Sequence, residues 1–352
     1  MRETVLQHSN NECKYWTKKK YHPTRNRGIQ VQDADLREKI SKRLSSGDYF
    51  CSFEISPPKS ELGHQDLLRS VHTIHDSCNP LFAAITWHLG LSSPSPESAE
   101  PLLSAPRALR LAAAVRNTKS VLLHLSCVGL SKRQVYNLLC RARNIGIKNI
   151  FALRGDRPDN DPSDFRYARD LVHFIRENFG NYFTICVAGY PMGHPEADSI
   201  HQDLLYLKQK VDAGADFILT QFCFEVDPFI NFVLQCRKIG ITVPIIPGIM
   251  LIQEYSSLLH LSRICKVEIP KAVLNIIEPI RDNQEAVRKF GVHLAVKIVS
   301  QLFSSNQLQA VHFFTLNRAS SITEACKLLG FYTAEPAKSL MYVQETEESS
   351  EK

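Results

Sequence analysis

NIFALRGD, residues 149–156, is a short and mostly apolar run that breaks into Arg154, Gly155 and Asp156. Seven more runs are built alike: YFCSFEIS (49–56), LFAAITWH (81–88), SVLLHLSC (120–127), YFTICVAGY (182–190), DFILTQFCF (216–224), VPIIPGIM (243–250) and AVHFFTLNR (310–318). Helical patterns separate them. Glu54, Thr86, His124, Asp156, Tyr190, Gln221 and Arg318 stand at or near the C-terminal ends of these runs. Eight strands alternating with helices predict an α/β fold, a (β/α)8 TIM barrel. Such a barrel carries its active site at the C-terminal ends of its strands. Polar residues from distant parts of the chain are therefore expected to meet at one mouth.

The 352 residues exceed the roughly 250 that a barrel of this kind needs. The surplus reads as tails on a single domain: a basic polar tail at 1–33, the barrel at 34–335 and an acidic tail at 336–352. Both tails are expected to be disordered. Much of the net charge of +6 comes from Lys14, Lys18, Lys19, Lys20, Arg25 and Arg27. Such a run can attract nucleic acid or membrane, but a solvated tail is the expectation, with neither as partner. The N-terminus lacks a secretory apolar core, and Glu3 and Glu12 argue against a transit peptide. No apolar run approaches the roughly 18 residues of a membrane span. The ten cysteines form no C-x-x-C pair, and several fall inside strands. They read as reduced, buried residues of a cytoplasmic enzyme with no metal site.

Within the barrel, helices are expected at 35–44, 61–77, 108–117, 132–144 with Ser131 as N-cap, 165–178, 195–213, from Pro228, at 254–266 and at 283–305. Leu204, Leu205, Leu207 and Val211 would face inward. Residues 92–107 and 158–164 read as polar loops.

Several positions carry chemistry. A strand-end carboxylate such as Glu54 is partly desolvated, which raises its pKa toward general-acid use. A salt bridge to Lys59 explains it equally well. Gly155 would let the backbone approach a ligand, and Asp156 could fix a cation or simply serve a turn. The junction Ala188-Gly189-Tyr190-Pro191-Met192-Gly193-His194-Pro195-Glu196-Ala197 reads as a strand–loop–helix anion site, with Lys210 as the cation further along, or as ordinary capping. Gln221 offers both donor and acceptor to a heterocycle. No G-x-G-x-x-G or P-loop follows a strand, and no run ends in a Schiff-base lysine.

Taken in order, Phe53-Glu54-x-x-Pro57-Pro58, Thr86-Trp87-His88, His124-Leu125-Ser126-Cys127, Ala152-Leu153-Arg154-Gly155-Asp156, Val187 to Ala197, Asp212-Ala213-Gly214-Ala215-Asp216 with Thr220-Gln221-Phe222, Ile246-Pro247-Gly248-Ile249 and Phe314-Thr315-Leu316-Asn317-Arg318 resemble the methylenetetrahydrofolate reductase family. The catalytic domain of its animal members is the nearer match, over about 49–332. The resemblance implies non-covalent FAD and ping-pong reduction of 5,10-methylenetetrahydrofolate to 5-methyltetrahydrofolate, with NADPH or NADH as hydride donor. It implies catalytic roles for Glu54 as general acid and Asp156 as stabiliser of a cationic iminium. FAD would be held by Thr86, His124, Leu153, Arg154, Gly155, Asp156, Tyr167, Tyr190, His194, Asp203 and Lys210. Folate would meet Glu54, Gln221 and Arg318. Ile55-Ser56 replace two aromatic residues, Ser126 replaces a common threonine and Gln209 replaces a residue that is often basic. The family's animal members carry an S-adenosylmethionine-binding domain beyond the barrel. The sequence stops at Lys352, so no such domain is expected here. A homo-oligomer fits the family. A non-catalytic paralogue that keeps the barrel as a folate- or flavin-binding partner subunit is the competing reading.

Overall fold

The computed structural model describes residues 35–87, 107–116, 120–155 and 163–331. The tails 1–33 and 336–352, His88, the loop 92–106 and Asp156 lie outside the described residues, as does most of the loop expected at 158–164.

Eight parallel strands, β1 (Phe50–Ile55), β2 (Phe82–Ile85), β3 (Ser120–Ser126), β4 (Asn149–Leu153), β5 (Thr184–Gly189), β6 (Phe217–Phe222), β7 (Ile245–Met250) and β8 (Ala310–Phe314), close in sequence order, with β8 pairing back onto β1. The expected barrel is what the chain forms. Before β1 stands α1 (Leu36–Ser46). The wall helices are α2 (Glu61–Cys78), α3 (Arg107–Val115), α4 (Lys132–Asn144), α5 (Ala168–Phe179), α6 (Ile200–Asp212), α7 (Asp227–Lys238), α8 (Tyr255–Cys265), α9 (Lys271–Ile277), α10 (Gln284–Ser304) and α11 (Ala319–Leu328).

Strand side chains alternate between two faces, and this period of two sorts the barrel into an inner and an outer core. Phe50, Phe82, Ala84, Leu122, Phe151, Cys186, Phe217, Leu219, Ile246 and Ala310 form one buried interior cluster. The intervening residues, such as Phe53, Ile85, Leu123, Ile150, Ile185 and Ile218, pack outward in a second cluster with the wall helices. Leu36 and Ile40 of α1 join the interior cluster, so α1 plugs the floor. A third cluster joins Phe222 and Met250 to Leu258, Val273, Ile277 and Val287. It seats α8, α9 and the start of α10 beside the ends of β6 and β7.

Ser131 caps α4 and Gln134 returns the bond, a full capping box. Three expectations need correction. The helix expected at 195–213 begins at Ile200, because two successive turns, Gly193 N–H to the Tyr190 carbonyl and Ala197 N–H to the His194 carbonyl, come first. Ser199 then caps it, accepting from Gln202 N at 3.1 Å. The helix expected at 165–178 begins at Ala168, since Asp170 reaches back to the N–H groups of Arg166 and Tyr167 at 3.0 and 2.8 Å. Leu205 lies on the outer face of α6, exposed, while Leu204 and Leu207 are buried.

Candidate active site

The ends of β4 and β5 and the starts of α5 and α6 border an open cleft of about 900 Å³. Leu153, Arg154, Gly155, Tyr167, Tyr190, His194, Asp203 and Lys210 all line it, so eight of the expected cofactor residues converge. Gly155 has φ +86°, and a Cβ there would collide with Ser126 Oγ and Val128. The glycine is therefore set by the fit of the β4 loop against the β3 end as much as by any ligand. His194 lies in a turn and not at a helix start. Its Nδ1 accepts Glu196 N–H at 3.1 Å, which leaves Nε2 as a donor. Burial holds His194 below its ordinary pKa, only partly opposed by Asp203 and Glu196, so the imidazole is neutral at pH 7.

Two buried charges face each other across the cleft wall. Burial pushes the Lys210 amine down to about 8, against the pull of Asp203, and Nζ donates to the Ala188 carbonyl at 2.5 Å. Burial raises the Asp203 carboxyl in turn, with Lys210 and His194 opposing. Arg154 pairs with Glu196 at 2.7 Å. At the outer rim Tyr167 and Tyr206 stack, centroids 6.5 Å apart and planes 19° apart, with Arg166 and Arg169 over the Tyr167 ring at 5.3 and 5.2 Å. Arg169 also donates to Gln209. Sequence reading missed Tyr206, Arg166 and Arg169 as site residues. They lie on or beside helices, where no strand-end signal points.

Glu54 occupies the barrel interior on β1, in register with Ala84 and Phe314. Its Oε2 stands 3.5 Å from His124 Nε2. Burial pushes the Glu54 carboxyl up to about 8, although 20% of the side chain remains exposed toward the mouth. Among the described residues Glu54 forms no ion pair with Lys59, and its ionisable neighbour is His124. His124 packs edge-on to Phe151 at 4.7 Å. Thr86 follows β2 and donates to Ser56 Oγ at 3.0 Å.

Gln221 is half-buried on β6, its Oε1 accepting Phe222 N–H at 3.1 Å. Arg318 precedes α11 and pairs with Glu254, which also accepts from Gln284 at 2.9 Å. Neither residue lines the cleft of Lys210; both stand at the β6–β8 side of the mouth. The β8 loop is tied to β1: Thr315 Oγ1 donates to the Glu54 carbonyl at 2.6 Å, and Asn317 bonds Ser56 N–H and C=O at 2.7 and 2.8 Å. Leu316 and Asn317 both adopt left-handed φ, +49° and +63°, a cost that these ties offset.

The family model for methylenetetrahydrofolate reductase matches residues 39–330. The chain belongs to that family. A Caenorhabditis elegans relative named probable methylenetetrahydrofolate reductase (NADPH) is 38% identical over 306 residues, covering 85% of this chain and 45% of its own length. A rice relative named for NADH is 37% identical, with 81% and 48% covered. The chain spans about half the length of these two. The 5,10-methylenetetrahydrofolate reductase of Salmonella typhimurium is 32% identical, with 84% of this chain and 97% of the bacterial one covered. Among solved structures, a Clostridium thermocellum protein that binds two copies of 5-methyl-5,6,7,8-tetrahydrofolic acid superposes with TM-score 0.57 at 13% identity, covering 82% and 96%. That likeness shows the fold.

Proposed function

We propose that this family member is a flavin-dependent reductase that turns 5,10-methylenetetrahydrofolate into 5-methyltetrahydrofolate, with NADPH or NADH as hydride donor. The observation that carries the reading is Glu54, a carboxyl at the barrel mouth held up to about 8 by burial. It keeps a proton at neutral pH, as a general acid must. The donor set of the cleft suits FAD. Tyr167 and Tyr206 offer a stacking face for a planar ring, while Lys210, Arg169 and the Nε2–H of His194 suit a diphosphate. The Leu153–Gly155 edge would meet the redox ring. When bound, the flavin supplies the hydride relay between nicotinamide and folate.

The residues of the chain do the rest. Glu54 gives its proton to the folate amine nitrogen as the methylene C–N bond opens, leaving an iminium cation on the other nitrogen. Asp156, next after Gly155 in the sequence, stabilises that positive charge. Gln221 contacts the pterin edge, and Arg318 shapes the mouth for the rest of the folate. The test is direct. Purified protein incubated with FAD should retain a flavin absorption band through gel filtration. NADPH or NADH should bleach the band without oxygen, and methylenetetrahydrofolate should restore it. A protein that neither binds flavin nor restores the band would sink the proposal.

A further inference from the structure

The cleft beside β4 and β5 is about 900 Å³, at the upper end of the roughly 300–1,000 Å³ of small-molecule sites. A redox ring at the Leu153–Gly155 edge takes only the strand end of it. The outer end is lined by Arg166, Tyr167, Arg169, Tyr206 and Gln209. Helix α6 turns one stripe of side chains toward this space: Asp203, Tyr206, Gln209 and Lys210 all line it. Residues three and four apart are neighbours on a helix surface, so Tyr206 stands between Asp203 and Lys210. Across from it, Asp170 accepts the N–H groups of Arg166 and Tyr167 at 3.0 and 2.8 Å, which fixes the stretch leading into α5. Arg169 donates to Gln209 and ties the two helices together at the rim.

The two tyrosine rings differ in what covers them. Tyr167 carries the guanidinium groups of Arg166 and Arg169 at 5.3 and 5.2 Å, and the Tyr206 ring at 6.5 Å with planes 19° apart. Tyr206 has only that one ring contact among the described residues and is 42% exposed. It is an open aromatic platform in the wall of a cleft. Every base has a π-face, so stacking on such a ring needs no hydrogen-bond readout. The arginines add charge. Arg169 has Asp170 at 3.5 Å, while Arg166 meets the Tyr167 ring and no carboxylate within ion-pair range among the described residues. Two guanidinium groups against one carboxylate leave positive charge beside the platform, and guanidinium forks match phosphate oxygens.

We infer that Tyr206, backed by Tyr167 and flanked by Arg166 and Arg169, forms an adenine-nucleotide subsite at the outer end of the cleft. The subsite makes the cleft select a dinucleotide flavin over a mononucleotide flavin, and a free adenine nucleotide such as ADP competes for the same place. The inference rests on the reading of the cleft as a flavin site, and names the residues that choose which flavin enters.

The experiment reads binding and not turnover. Calorimetry on the purified full chain, dialysed free of nucleotide, follows FAD, FMN, ADP and adenosine in turn. FAD should bind more tightly than FMN, ADP more tightly than adenosine, and ADP should displace FAD. Tyr206→Ala should weaken FAD and ADP by about 5–100-fold, the range for base stacking on one aromatic side chain, and leave FMN unchanged. Tyr206→Phe, which keeps the ring, should bind all three as the wild type does. A loss shared equally by FMN, or a wild-type chain that takes no ADP, overturns the inference. If Tyr206→Ala fails to fold, the ADP and FMN measurements on the wild type decide. A chain that binds ADP through Tyr206 yet takes no flavin would retain the subsite and refute only the flavin reading. A chain that takes FAD and FMN alike and no ADP would retain the flavin and refute the subsite.

Discussion

At the floor of the barrel, Asn149 bonds the Leu36 N–H at 3.0 Å and the Val121 carbonyl at 2.9 Å, and Asp216 takes Arg176 and the Ile185 N–H, both at 2.7 Å. Thr184 bonds Asp35, and Lys39 bonds Ser120. Nearer the mouth, Glu54 has His124 at 3.5 Å, while His312 Nε2 and Gln253 Nε2 have no partner among the described residues. The two ends share one chain and one pleat, yet Asn149 and Asp216 are satisfied at one while His312 and Gln253 are kept short of partners at the other. A barrel floor needs rigidity, and the paired Asn149 and Asp216 supply it. A mouth needs proton affinities far from their ordinary values, and these follow from incomplete pairing in a dry interior.

The sharpest test of that contrast is Glu54→Gln. General acid catalysis is worth about 10²–10⁴ in rate. Stopped-flow measurement should show folate-driven reoxidation slowed by that factor and nicotinamide oxidation nearly unchanged; equal loss in both would make the glutamate structural. The same substitution should stabilise the fold. The carboxyl keeps its proton in the folded state up to about 8 but loses it near 4.5 when unfolded. Between those values the folded state binds more protons, so stability falls as pH rises. Thermal melts at pH 7.5 should place the variant well above wild type, with the gap closing near pH 4.

Asn149→Ala probes the opposite end. It strands a buried N–H and a buried C=O, so urea unfolding should show a loss of about 2–4 kcal/mol. The turnover of molecules that remain folded should be unchanged.

Lys210→Met joins both behaviours in one residue. The folded amine loses its proton near 8, the unfolded one near 10.5, so its charge is a burden on the fold below 8. Across that window the folded state binds fewer protons, and stability rises with pH. The variant should melt higher at pH 7 while flavin affinity, measured by fluorescence quenching, drops about 10–100-fold, as losing a charged hydrogen bond implies.

The smallest effect belongs to Arg318→Ala. Its partner Glu254 and the arginine itself are 30% and 45% exposed, and such pairs contribute about 0–1 kcal/mol. Stability should hardly move; a rise in the KM for folate with flavin affinity intact would mark the residue as part of the folate side.

Eight apolar runs, each ending in a polar residue, made the barrel legible from the sequence, because strand alternation and strand–helix order are local patterns. The cleft residues on β4, β5 and α6 were legible through motif order. Three features were not. Pro195 looked like a helix start, since proline suits the first helical turn, but the turns at Tyr190 and His194 take up that stretch first. His312 stands in the middle of its run, where no strand-end signal points. Its place two residues before Phe314 puts it on the same interior face, one layer down, and only the β1–β8 register brings it to Ser52. Tyr206 and the two arginines near Tyr167 depend on how α5 and α6 lie against each other, which no periodicity reveals.

The seam between β1 and β8 has a consequence in time. The Thr315 bond to the Glu54 carbonyl joins residues 261 apart, and the His312 bond to Ser52 joins residues 260 apart. At about 5–20 residues per second of synthesis, Glu54 leaves the ribosome roughly 13–52 s before the strand that completes its surroundings. Until then the nascent chain holds an ordinary carboxylate with an ordinary acidity. The raised proton affinity of Glu54 is made by ring closure, so any lesion that delays the last strand lets the polypeptide accumulate with Glu54 in place and its proton held no more tightly than in water.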